Sequence, residues 1–143
     1  MSHLLRIALA ETDELAAYHV QGQLRKLEHP FSLRRITDPD ALLNEIGRFS
    51  PDLVILNEEF IGNGTLERIK EKSPAPLIVL SHFEVDATIL KPTQPGAENY
   101  IYFSRLTELP LIIEKTLLKI RRSAAPWNPH YRSESGTRIS LAS

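Results

Sequence analysis

No cysteine occurs in the 143 residues, so disulfide frameworks, thiolate metal sites and cysteine nucleophiles are excluded. Neither sign of charge is in excess: the formal net charge is -1, which argues against a general nucleic-acid-binding role. No apolar run approaches the roughly 20 residues needed to span a bilayer. The apolar part of the opening MSHLLRIALAETDE is too short, and too soon acidic, for a secretory signal. The five histidines are scattered without metal-ligand spacing. IGNGT at Ile61–Thr65 lacks the GK[ST] of a phosphate-binding loop, and Asn63-Gly64 reads as a turn. No His, Ser and acid grouping suggests hydrolytic catalysis. The expectation is a cytoplasmic, non-enzymatic domain with no cofactor, no metal site and no membrane segment.

What is present is a repeat of short apolar runs and helical segments. Leu4–Ala10 is a candidate strand, and Thr12-Asp13-Glu14 supplies a helix start. Ala16, Val20, Leu24 and Leu27 then form one buried stripe at helical spacing. Phe31–Ile36 alternates apolar and polar residues. Asp38-Pro39 predicts a capped helix whose inner face is Leu42, Leu43, Ile46 and Phe49. Leu53–Leu56 and Leu77–Leu80 are apolar throughout, as central parallel strands are. Thr65–Lys72 lies between them as a short helix, and Tyr100–Phe103 is a last strand. Thr107 is placed to cap a closing helix that ends at Arg121-Arg122.

Five strand-then-helix repeats predict an α/β, doubly wound five-stranded parallel sheet flanked by helices. The fourth helix is expected to be irregular, because Pro92 and Pro95 fall near it. Residues 1–122 form the domain, and 123–143 read as a flexible tail or linker in which Trp127 and Tyr131 are possible anchors. In such sheets sites form at the C-terminal strand ends. That rule points to Glu11-Thr12, Asn57-Glu58 and Ser81-His82.

At these positions the chain resembles a receiver domain, the CheY-like response-regulator module of two-component signalling. The resemblance covers roughly residues 4–122 and rests on RIALAETDE at Arg6–Glu14, PDLVILN at Pro51–Asn57, PLIVLS at Pro76–Ser81 and GAENYI at Gly96–Ile101. It implies a flavodoxin-like fold and a pocket with an acidic pair for magnesium, an acceptor aspartate, a hydroxyl and a Lys-Pro pair. Here Glu11 and Thr12 stand for the acidic pair, Asn57 for the acceptor and Ser81 for the hydroxyl. Phe103-Ser104 stands for Lys-Pro.

An amide cannot attack phosphorus as a carboxylate does, and Phe103 brings no cation to the pocket. Thr12 and Asn57 also remove two of the hard oxygens that magnesium favours. The resemblance is therefore to a degenerate pseudo-receiver. Glu11 reads either as an N-terminal helix acid or as the remnant of a cation site. Asn57 and Ser81 read as loop-bonding and capping groups, and Phe103 as filler of the lysine's volume.

The closing helix carries Leu106, Leu109, Ile113, Leu117 and Ile120 on one face, suited to the sheet. Leu111 and Leu118 fall on another side. They are either scattered surface leucines or, with Tyr100, an interface for a protein partner or a second copy. The expected function is a phosphorylation-independent module acting by protein contact, without direct nucleic-acid binding. Two alternatives stand beside it. One is a regulator phosphorylated by a histidine kinase at Glu58 or Glu59; the other is a flavodoxin-like domain binding a small ligand, for which the sequence supplies no loop.

Overall fold

Strands apolar on both faces are stable only when helices cover both sides of their sheet, and the chain folds accordingly. The computed structural model describes residues 4–81 and 99–124. In chain order the elements are β1 (Leu5–Ala10), α1 (Glu14–Leu24), β2 (Phe31–Ile36), α2 (Leu42–Phe49), β3 (Leu53–Asn57), α3 (Thr65–Lys72), β4 (Leu77–Ser81), β5 (Asn99–Tyr102) and α4 (Leu109–Ala124). Short 3₁₀ turns occupy Pro39–Ala41, Glu58–Phe60 and Phe103–Glu108. All five strands pair in parallel, in the order β2-β1-β3-β4-β5. This is the expected five-stranded α/β sheet.

The two-residue strand period divides the core in two. Leu5, Ile7 and Leu9 of β1, Leu53 and Ile55 of β3, and Ile78 and Leu80 of β4 face one way. They meet Ala17, Val20 and Leu24 of α1 and Leu109 and Ile113 of α4. Ala8, Ala10, Val54, Leu56 and Leu77 face the other way, against Leu42, Ile46 and Phe49 of α2 and Leu66 and Ile69 of α3. Each fully buried Leu or Ile contributes about 1.5–3 kcal/mol.

Helix ends follow local chemistry, with two departures from the sequence reading. The α1 cap is Asp13, whose carboxylate accepts from Ala16 N at 3.0 Å, so helix begins one residue beyond Thr12-Asp13. Asp38 does cap, accepting from Asp40 N at 3.0 Å, but it starts a 3₁₀ turn and α2 begins only at Leu42. Leu42, Ile46 and Phe49 are buried, while Leu43 is partly so. Ser50 closes α2 in the left-handed region, with φ 53°, and its N–H donates to Ile46 O at 3.0 Å.

The last strand and helix also differ from expectation. β5 ends at Tyr102, and Phe103 opens a 3₁₀ turn. Thr107 is an exposed residue within that turn and caps nothing, because α4 starts at Leu109. The helix then runs to Ala124, past Arg122. Leu106, Leu109 and Ile113 are buried, and Leu117 packs partly against them. The side chain of Ile120, the irregular fourth helix with Pro92 and Pro95, His82, and the tail with Trp127 and Tyr131 lie outside the described residues.

One brace secures the N-terminal edge of the sheet. Arg6 N donates to Asp52 Oδ2 at 2.9 Å, and Asp52 N donates to Arg6 O at 2.7 Å. The Arg6 guanidinium donates to Phe49 O from Nε at 2.9 Å and lies 4.3 Å from the Phe49 ring centroid. The opposite edge is left for the site.

Candidate functional site

The C-terminal ends of β1, β3 and β4 bring Glu11, Asn57 and Ser81 to one edge, and Tyr100, the second residue of β5, extends its hydroxyl to the same group. Parallel pairing continues past β1, because Glu11 N donates to Ile36 O at 3.1 Å. That bond fixes the Glu11 backbone beside the end of β2. Its side chain is 1% exposed, and Asn57 is 2% exposed.

A buried carboxylate is costly unless hydrogen-bonded. Here Asn57 Nδ2 lies 2.9 Å from Glu11 Oε1 and 3.0 Å from Oε2, bridging both oxygens. Asp13 N donates to Oε2 at 3.1 Å. The Asn57 carbonyl is also used: Glu59 N donates to Oδ1 at 2.8 Å, which caps the 3₁₀ turn that follows β3. This second bond fixes the amide's orientation. Turned over, Nδ2 would face a backbone N–H and Oδ1 would face a carboxylate.

Above Glu11, Arg35 of β2 reaches across the strand end. Its Nη2 donates to Glu11 O at 2.7 Å and its Nη1 lies 3.3 Å from Glu14 Oε1. Sequence reasoning missed Arg35. Its position in an alternating strand gave only the general signal of a polar residue.

Beyond Asn57 the chain turns, and the two consecutive glutamates part. Glu59 is exposed, while Glu58 is partly buried. Ser81 is fully buried at the end of β4, and its hydroxyl donates to Glu58 Oε1 at 2.6 Å. The Tyr100 hydroxyl donates to Glu58 Oε2. One carboxylate thus ties the end of β4 and the Tyr100 side chain of β5 to the turn after β3. Tyr100, grouped in the sequence with interface residues, has its hydroxyl in this pocket.

Thr12 is exposed, and Phe103 is partly buried. The Phe103 ring packs on the α1–α4 side of the core and meets His19 edge-on, with centroids 6.5 Å apart. It lines a cleft of about 310 Å³ with His19, Gln23, Ser104, Leu106 and Thr107. Leu111 and Leu118 are 56% and 47% exposed, so the structure leaves both free of the core.

Magnesium, which the resemblance implies, does not fit the residues present. Six-coordinate magnesium takes oxygens, chiefly carboxylates and waters. Asn57 points N–H hydrogens at Glu11, where an acceptor aspartate would present an oxygen to the cation. Among the described residues no group of three His, Cys, Asp or Glu is arranged to hold a metal ion. Among the same residues no helix is long and apolar enough to cross a membrane.

The sequence matches no protein-family model and no curated protein. Solved structures do resemble the fold. A response regulator from Thermotoga maritima is 22% identical, with TM-score 0.65, covering 81% of this chain and 99% of that one. The N-terminal domain of a response regulator/sensory box/GGDEF three-domain protein from Carboxydothermus hydrogenoformans is 17% identical, with TM-score 0.63, covering 83% and 98%. CheY6 of R. sphaeroides, in a structure with the phosphorylated P1 domain of CheA3, gives 15% identity and TM-score 0.58, covering 80% and 97%. At these identities the likeness is one of fold: the chain has the five-stranded parallel α/β fold of response-regulator receiver domains.

Proposed function

We propose that the domain is a phosphorylation-independent signalling module that acts by protein contact. The observation that carries this reading is the Asn57 amide bridging both oxygens of Glu11. An acceptor must offer a free carboxylate oxygen to phosphorus, and Asn57 has none. The neighbouring acid already accepts hydrogen bonds that a metal would have to displace. Glu59 faces solvent away from these groups, and both Glu58 oxygens accept hydroxyl hydrogens. Neither glutamate is presented as a nucleophile in a charged phosphate site.

Contact with another protein is a use of this fold that needs no phosphoryl chemistry. CheY6 offers a parallel, being found in a structure with a CheA3 domain. In this chain Leu111 and Leu118, one above the other on α4, are the residues assigned to a protein partner or a second copy.

The test is intact mass after incubation with magnesium and acetyl phosphate. The expected mass is that of the unmodified chain. A stoichiometric phosphoryl adduct, on any residue, overturns the reading.

A further inference from the structure

Helix α1 differs from α2 and α3 on its outer side. Ala17, Val20 and Leu24, at i, i+3 and i+7, form its buried stripe. Leu15, Tyr18 and Gly22 repeat that spacing two residues earlier. Each residue turns the helix by about 100°, so these three fall on the opposite side. That side of a surface helix ordinarily carries charge. α2 exposes Arg48, and α3 exposes Glu67, Arg68 and Glu71. From Leu15 to Leu24, α1 has no Asp, Glu, Lys or Arg. Instead Leu15 is 64% exposed and Tyr18 is 63% exposed.

Gly22 is an independent observation. Glycine is a poor helix residue, and a Cβ added here would meet no atom within 4 Å. Packing among the described residues therefore does not require it. Its missing side chain leaves a notch in the outer face beside Tyr18. Leu111 and Leu118 extend the apolar surface, because α4 packs beside α1 over the same half of the core.

We propose that the outer face of α1 is the centre of an interface with a second copy of this chain, the two α1 helices crossing antiparallel about a two-fold axis. This deepens the reading above and rests on it, by naming the protein that is contacted. A two-fold contact requires a surface complementary to itself. Glu14 opens α1 and Arg25 caps it, about three turns later, so both lie along one edge of the face. With the axis level with His19 and Val20, each Glu14 meets Arg25 of the other copy. Each Tyr18 then lies over Gly22 of the other copy and fills the notch. The Glu14 side chain is 84% exposed, with Arg35 on one side of it. Arg25 is exposed and, among the described residues, pairs with no acid. Opposite charges at the two ends select the antiparallel order, since parallel pairing would set Glu14 against Glu14.

The experiment measures the mass of the full chain across dilution, by sedimentation or light scattering. The wild type is expected to pass from dimer to monomer. Gly22→Gln places a good helix former in open space, so its thermal unfolding at the lowest concentration should not fall below that of the wild type. Its dimer should nevertheless be weaker by about tenfold or more, because the notch is filled. Glu14→Arg and Arg25→Glu should each weaken the dimer by about tenfold, and the two together should restore it.

A wild type that is monomeric throughout overturns the proposal, whether another segment of the chain or a different protein covers α1. A Gly22→Gln dimer as tight as the wild type overturns it too, and so does a charge exchange that fails to restore pairing. Should the charge variants not fold, Gly22→Gln decides alone. The phosphoryl experiment reports separately. An adduct on a chain whose dimer responds to Gly22→Gln overturns the functional reading, while an unmodified chain that stays monomeric overturns only the α1 interface.

Discussion

Asn57 Nδ2 stands 2.9 and 3.0 Å from the two carboxylate oxygens of Glu11, an amide fitted between them as a single donor. Asn57→Asp would set a second carboxylate against the first and leave Glu11 without that donor. A loss of about 1–3 kcal/mol is expected. Urea denaturation with and without magnesium checks it: the cation should recover part of the loss in the variant and leave the wild type unmoved.

Ser50 adopts φ 53° at the end of α2, where a side chain is strained and glycine is not. Ser50→Gly should therefore stabilise the domain by up to about 1 kcal/mol, despite glycine's greater freedom in the unfolded chain. Thermal unfolding measures the sign. A lower melting temperature would show that the Ser50 side chain contributes more than its backbone strain costs.

The guanidinium of Arg6 both donates to Phe49 O and stacks on the Phe49 ring. Lysine keeps the charge but neither the planar fork nor the stacking, so Arg6→Lys should cost about 1–2 kcal/mol. Denaturant midpoints for Arg6→Lys and Phe49→Leu, alone and together, should show losses that are less than additive.

Leu111 and Leu118 are the subject of a solution measurement. The wild type should show a concentration-dependent mass by sedimentation or light scattering, and Leu111→Glu with Leu118→Glu should be monomeric. Because both residues are exposed, the double variant should keep its stability within about 0.5 kcal/mol per site. A wild type that stays monomeric across dilution removes self-pairing and leaves only a different protein as partner.

Much of the fold was legible because burial on both faces writes a continuous apolar run. Leu53–Leu56 and Leu77–Leu80 could hardly be anything but central strands, and they bring Asn57 and Ser81 to the expected edge. The run YIYF misled by one residue: Phe103 is apolar because it packs on the core from a 3₁₀ turn, not because it extends the strand. Thr107 looked like a cap for the same reason, since the turn before α4 has no signature separate from a helix start. The two glutamates after Asn57 were indistinguishable by type. Only the turn's geometry sends Glu58 to Ser81 and Tyr100 and leaves Glu59 in solvent. Arg35 was invisible because its shortest bond goes to a backbone carbonyl, which every residue carries.

Asn57 and Glu58 are neighbours in the chain, yet one reaches back to β1 and the other forward to β4 and β5. This arrangement makes an acceptor carboxylate at position 57 costly to introduce by one substitution. Aspartate at 57 brings like charges together beside Glu11, and it removes the donor that Glu11 now accepts from. A lysine at 103 would have to displace a ring seated against His19. Each such change is penalised on its own, so the pocket's present chemistry is held by the groups that surround it.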